Sequence, residues 1–567
     1  MKKLRWQLLV VLLALIAIAV LLFNQYQITL PGEEIIEEPI SGGIYSEALI
    51  GSFGRLNPLL DIYNQVDYDL DRLIYSGLIR FNDRGLPLAD LADSWGISQD
   101  GKTYNFSIRP NAVWHDGTPV TSNDILFTVN LIKDPLAPIP EDYKTFWSDI
   151  EIEALDDKTL QFRLPEAFSP FLDYLTFGIL PEHLLGNLTA EELINAPFNL
   201  NPIGSGPFQF EAFEIVDGKV TAVELSSFDD YYGEAPFINR AIFRYYPDET
   251  AAYNAYEQGD VLGISQFTND TLIKALKNKD LKIFTARLPK LNIIYLNLGN
   301  PELSFFQEEE VRKALLMGIN RRWIIDRILH GQAILAKGPI FPESWAFYEG
   351  IQETPYNREA AIEILKDAGY LIPADGGNVR VKDGMPLSFE MVYPDEEYYK
   401  EIAQYIQENW AAIGVELSIN PVPYQELIDN YLTPRTYQAA LVEINLARSP
   451  DPDPYPFWHQ TQTTGGQNYS QWDDRQVSEY LEQARVVDDL NERTKRYRNF
   501  QVRYIDEQPA LELFFPVYSF GVNEQVMGIS MGPIYDLSDR FNTITSWYMV
   551  TASSDQLEVT PTYEESE

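Results

Sequence analysis

Apolar and polar positions change rhythm several times along this chain. Residues 8–23 form an unbroken apolar run. Between residues 67 and 79, Leu70, Leu73, Ile74 and Leu78 recur at helical spacing and predict a helix. Tyr104, Phe106 and Ile108 alternate behind the tight-turn pair Asp100-Gly101, which predicts a hairpin. Thr121 or Ser122 then caps a helix holding Asp124 and Phe127. Farther on, strand-like residues 387–392 lead to a helix with Ile402, Ile406, Trp410 and Ile413 on one face, closed at Gly414. Strand-like 415–419, helical 424–431 and strand-like 437–446 follow. Alternation of this kind predicts an α/β layer, a sheet covered by helices. The first third is richer in hairpin patterns, and there the expectation is mixed α+β.

The last of these strands runs into residues 448–460, Arg-Ser-Pro-Asp-Pro-Asp-Pro-Tyr-Pro-Phe-Trp-His-Gln. Four prolines fix φ and remove backbone donors, so the segment reads as a stiff loop, neither helix nor central strand. It carries the candidate ligand-binding residues Arg448, Asp451, Asp453, Tyr455 and Trp458. A guanidinium, carboxylates and aromatic faces held at a strand end suit an amphiphilic ligand with a cationic end. The competing reading is a proline-rich surface loop over its own aromatics.

Charge narrows the possible partners. Against 84 Asp and Glu stand 43 Lys and Arg, a formal net charge of −41, which excludes the basic footprint that nucleic acid requires. The four histidines are widely separated and cysteine is absent, so neither a zinc centre nor a disulfide framework is expected, and no cofactor. Trp114-His115 reads as a packing feature. No Gly-rich phosphate loop or nucleophile elbow occurs. An enzyme reading would rest on carboxylate pairs, as in an extracellular glycoside hydrolase, and pairs at such spacing arise by chance in so acidic a chain. At the N-terminus Lys2, Lys3 and Arg5 precede the apolar run, and no small-residue cleavage site follows it. This pattern predicts a retained signal anchor, with residues 1–7 cytoplasmic, 8–23 in the membrane and 24–41 an acidic tether.

Several spaced segments resemble the family 5 solute-binding proteins of ABC importers, the oligopeptide- and dipeptide-binding group. These are residues 89–129, the turn Gly204-Ser205-Gly206-Pro207, the helix text Val311-Arg312-Lys313-Ala314, the helix end Ala368-Gly369-Tyr370, and Asp451-Pro452-Asp453-Pro454-Tyr455. The resemblance implies a two-lobed periplasmic-binding-protein-like fold with an extra subdomain in lobe I and a central cleft. Lobe I is then 42–66, 201–287 and 520–551, its subdomain 67–200, lobe II 288–519, and 552–567 an acidic tail. It implies no catalysis, an oligopeptide ligand, an ABC permease as partner, and an extracytoplasmic location. An oligosaccharide ligand is the alternative, with Tyr455 and Trp458 as stacking surfaces. In many such peptide binders an Asp near this loop pairs the ligand's α-amino group; here the equivalent position falls on Ser449, Pro450 or Asp451.

Overall fold

A computed structural model describes residues 40–549 except 83, 375 and 447–449. The expected membrane span at 8–23, residues 24–39 of the tether, the tail and Arg448 lie outside the described residues. No helix among the described residues is long and apolar enough to cross a membrane.

The described residues from Ser41 to 549 form one compact unit built on a twelve-stranded sheet. In chain order its strands are β1 (Ile44–Ile50), β2 (Phe208–Val216), β3 (Lys219–Ser227), β4 (Arg240–Tyr246), β5 (Gly263–Ile264), β6 (Leu281–Arg287), β7 (Lys290–Leu296), β8 (Ala333–Leu335), β9 (Ser388–Pro394), β10 (Glu416–Val422), β11 (Ala439–Asn445) and β12 (Ala510–Asn523). They run β10-β9-β11-β7-β12-β5-β1-β4-β3-β2, with β6 and β8 also on β12. The long strand β12 joins the two halves. Its first part pairs with β7 and β8, Ala333 facing Pro516, and its second with β6, Arg287 facing Val517. Only Leu288 and Pro289 separate β6 from β7. The chain therefore crosses between halves on two adjacent strand segments, which makes the fold a mixed α/β molecule of two lobes.

The hydrophobic pattern explains most of the elements. Tyr104, Phe106 and Ile108 are buried on one face of Thr103–Ile108, in a separate four-stranded sheet. The helix after it spans Ser122–Lys133 and begins with a capping box between Thr121 and Asp124. The first long helix, α1, covers Gln65–Ile74 and stops short of residue 79, because Ile79 already pairs as a strand. Helix Glu397–Ala411 buries Ile402, Ile406 and Trp410, and Gly414 turns the chain at φ +86° into β10. Gly204 and Gly206 are needed for close approach: a Cβ on Gly204 would overlap the carbonyl oxygen of Ile74, and the Gly206 N–H donates to that oxygen at 2.8 Å. His115 holds the same turn, accepting from the Gly204 N–H at 3.1 Å and meeting the Gly206 carbonyl at 3.1 Å. Burial pulls its imidazole down to about 4, so the ring is neutral there.

Candidate ligand cleft

The proline loop sits where the second half of the molecule meets the first. Strand β11 ends at Asn445, a few residues before Pro450. Instead of remaining a loop to residue 460, the chain forms one helical turn at Tyr455–Trp458. The prolines permit this because Pro454 lies at the N-cap and Pro456 within the first turn, where a missing N–H costs no helical bond.

Each described candidate residue already has company. Asp451 is buried, its Oδ2 lying 2.5 Å from Arg493 and its Oδ1 accepting from the Tyr497 hydroxyl at 3.3 Å. Burial pushes its carboxyl up, with Arg493 pulling against that. Asp453 sits at φ +21° and receives a two-pronged bond from Arg485, at 2.8 and 2.6 Å. That guanidinium lies 3.8 Å from the centre of the Tyr455 ring, and His459 stacks on the same ring at 4.0 Å. Trp458 is 2% exposed and packs edge-on against Tyr504, inside the core of the second half. The two carboxylates thus fix two arginines, from helices Arg475–Val486 and Leu490–Glu507.

Across from them stands a wall that local sequence patterns did not mark. The Asp451 N–H donates to Asp173 at 2.7 Å, and the Ser169 hydroxyl donates to the carbonyl of Val487 at 2.8 Å. Ser169 and Asp173 lie on the short 3-10 helix Ser169–Leu175, beside the four-stranded sheet. Arg485 also approaches the ring of Phe168, at 5.5 Å. Near the crossing strands Arg287 meets Glu343 at 3.3 Å, and Phe341 packs against Tyr535 at 6.2 Å between ring centres. Gly85, at φ +70°, faces both the Tyr535 hydroxyl and Pro450 so closely that a Cβ would need one of them to move. Segments far apart in sequence thus converge on one seam, with acidic, basic and aromatic side chains facing it. Among the described residues no group of histidines and carboxylates is arranged to hold a metal.

The sequence model for bacterial extracellular solute-binding proteins, family 5, matches residues 87–467. This chain belongs to that family. The oligopeptide-binding protein AppA of Bacillus subtilis is 26% identical over 526 residues, covering 90% of this chain and 92% of the relative. A dipeptide-binding protein of Escherichia coli is also 26% identical, over 89% of this chain and 96% of its own length. The structure of Bacillus subtilis AppA in complex with a nonapeptide superposes with a TM-score of 0.66 at 25% identity, over 91% of this chain and 100% of that one. The two-lobed α/β architecture is therefore the family's. As a family 5 member the chain is an extracytoplasmic solute binder.

Proposed function

We propose that this protein captures peptides in the cleft between its lobes and delivers them to the permease of an ABC importer. The observation that carries the reading is the near-complete overlap with peptide-binding relatives, on both chains. A peptide buried between lobes needs partners for its charged ends and its amides, and a wall of this composition supplies them. In this reading Asp451 and Asp453 act by holding Arg493 and Arg485 in place along the wall formed by residues 450–458, and Tyr455 contributes the aromatic face beside them. Lobe I comprises 42–66, 201–287 and 520–551 with a subdomain at 67–200, and lobe II comprises 288–519. The lobes rotate about the two crossing segments when ligand binds, a population shift toward the closed form. The protein is held on the outer face of the membrane by residues 8–23.

Mass spectrometry of small molecules released from the purified protein tests the ligand class. Peptides are expected; a ligand population made only of oligosaccharides would overturn the reading. N-terminal sequencing of membrane-fraction protein tests the anchor, which a mature chain beginning after residue 24 would remove.

A further inference from the structure

Two buried polar atoms at the seam have no hydrogen-bond partner, the hydroxyl of Tyr535 and Oε2 of Glu343. They come from opposite sides of the crossing. Glu343 follows Phe341, whose ring lies 5.6 Å from that of Phe515, just before the point where β12 changes partners. Tyr535 belongs to the returning C-terminal segment and is 8% exposed. Buried polar atoms without partners are uncommon in folded proteins, and a pair of them in a binding cleft marks a place for a ligand's polar group.

The surroundings specify that group. Oε1 of Glu343 takes Arg287 at 3.3 Å, which leaves Oε2 as an acceptor without a donor. Burial raises the Glu343 carboxyl, and Arg287 only partly offsets it. The phenol of Tyr535 is raised as well, first by burial and then by the negative charges of Glu343, Asp173 and Asp539. Three carboxylates from three segments thus act on one hydroxyl, and an anionic ligand group there would be repelled. A nitrogen cation would supply the donor that Oε2 lacks. The Phe341 ring beside Tyr535 offers an apolar wall for a methylene stem leading to that nitrogen. The Glu343 side chain is 25% exposed and that of Arg287 is 43% exposed, so the ion pair lies near the surface while Oε2 itself is buried.

We propose that Glu343 and Tyr535 form a specificity subsite for a cationic side chain of the bound peptide, lysine or arginine. The proposal rests on the peptide-binding reading above and adds to it a preference. Arg287, the last residue of β6 and next to the crossing, orients the Glu343 carboxylate. Occupation of the subsite would therefore be felt at the strand pair on which the lobes turn.

The test compares two alanine-background pentapeptide mixtures, one with a single lysine and the other with a single norleucine at a randomised position. Both carry the same free amino terminus, so their difference reads the side chain alone. Calorimetric titration of the full ectodomain should show the lysine mixture binding about tenfold more tightly. In Glu343→Gln the two mixtures should bind within about twofold, with norleucine affinity unchanged. Tyr535→Phe should lose about threefold of the preference, and it serves as the independent variant should Glu343→Gln unfold. A wild type without preference, or a Glu343→Gln protein that keeps it, overturns the subsite while leaving peptide binding intact. If neither mixture binds wild type, and only another class of solute does, the peptide reading itself has failed.

Discussion

The two halves of the molecule bury their arginines in different ways. Before the crossing, Arg540 donates to Glu47 at 2.8 Å and to Asp69 at 2.6 Å, all three buried, and the Tyr45 hydroxyl completes Glu47 at 2.5 Å. The three charges come from β1, α1 and a segment at the far end of the chain. Beyond the crossing, Arg321 donates to the backbone carbonyls of Ala336, Glu512 and Thr354, and Arg380 to those of Ile413 and Tyr370. Burial lowers both Arg321 and Arg540, but Asp69 and Glu47 more than offset it at Arg540, whereas at Arg321 burial wins. The first half is thus tied together by full charges from distant segments. The second is a locally wound α/β layer in which Arg321 and Arg380 serve as plugs for carbonyls, while at its seam Arg493 pairs with the buried Asp451.

The largest expected effect breaks that contrast directly. Replacing Arg540 with Met leaves two buried carboxylates without their cation, a loss of about 3–5 kcal/mol. Arg321→Met leaves carbonyl oxygens, which cost less, about 1–3 kcal/mol. Urea unfolding of the two variants should rank them in that order. Equal losses would mean that the ion pairs add nothing beyond what the carbonyl bonds supply.

A second pair of groups gives the halves opposite responses to pH. In the second half, burial pushes Glu512 up to about 7, Arg321 and a 2.7 Å bond from Gln508 offsetting it in part. Its folded value lies above its unfolded one of about 4.5, so its contribution is most favourable below that pH and declines as pH rises toward 7, by up to about 3 kcal/mol. In the first half, burial pulls His115 down to about 4. The neutral ring is the bound form, so its contribution is full above pH ~6.5 and is lost as pH falls toward 4, by a similar amount of about 3 kcal/mol. Glu512→Gln should remove a fall in stability with rising pH between about 4.5 and 7, and His115→Gln a rise between about 4 and 6.5, so over these overlapping windows the two variants shift the slope in opposite directions. If both variants shift the slope in the same direction, the two titrations have been misassigned.

How much of this was readable follows the same division. The second half announced itself because its strands and helices alternate locally: the expected segments at 387–392, 415–419 and 437–446 differ by a few residues from Ser388–Pro394, Glu416–Val422 and Ala439–Asn445. The stop of α1 at Ile74 was not readable, since Leu78 and Ile79 continue the apolar spacing while answering to a strand partner instead. In the cleft, the proline loop stood out by composition. Its partners Arg485, Arg493 and Asp173 did not, because a charge on a helix looks the same whether it faces water or another segment. Trp458 illustrates the converse. An aromatic in a loop suggests a ligand platform, yet a one-turn helix rotates it into the core beside Tyr504 and Trp472. Glu343 and Tyr535 carry no sequence signal; only the fold sets them at one seam.

The smallest expected effect lies on that seam and sharpens the comparison, because it separates what holds each half together from what holds the halves to each other. The Ser169 hydroxyl donates to the Val487 carbonyl at 2.8 Å and lies 3.2 Å from Asp488, at the junction between helices Arg475–Val486 and Leu490–Glu507. One neutral hydrogen bond contributes about 0.5–1.5 kcal/mol. If the bond forms only when the lobes are together, Ser169→Ala should weaken ligand binding by about threefold while the melting temperature without ligand stays within about 1 °C of wild type. Because Asp488 shares the same contact, adding Asp488→Asn should weaken binding little further. A variant that melts earlier yet binds as tightly as wild type would mean that the contact belongs to the fold of one rigid body, and that closure of the cleft depends on other groups, such as Asp173 facing the Asp451 N–H.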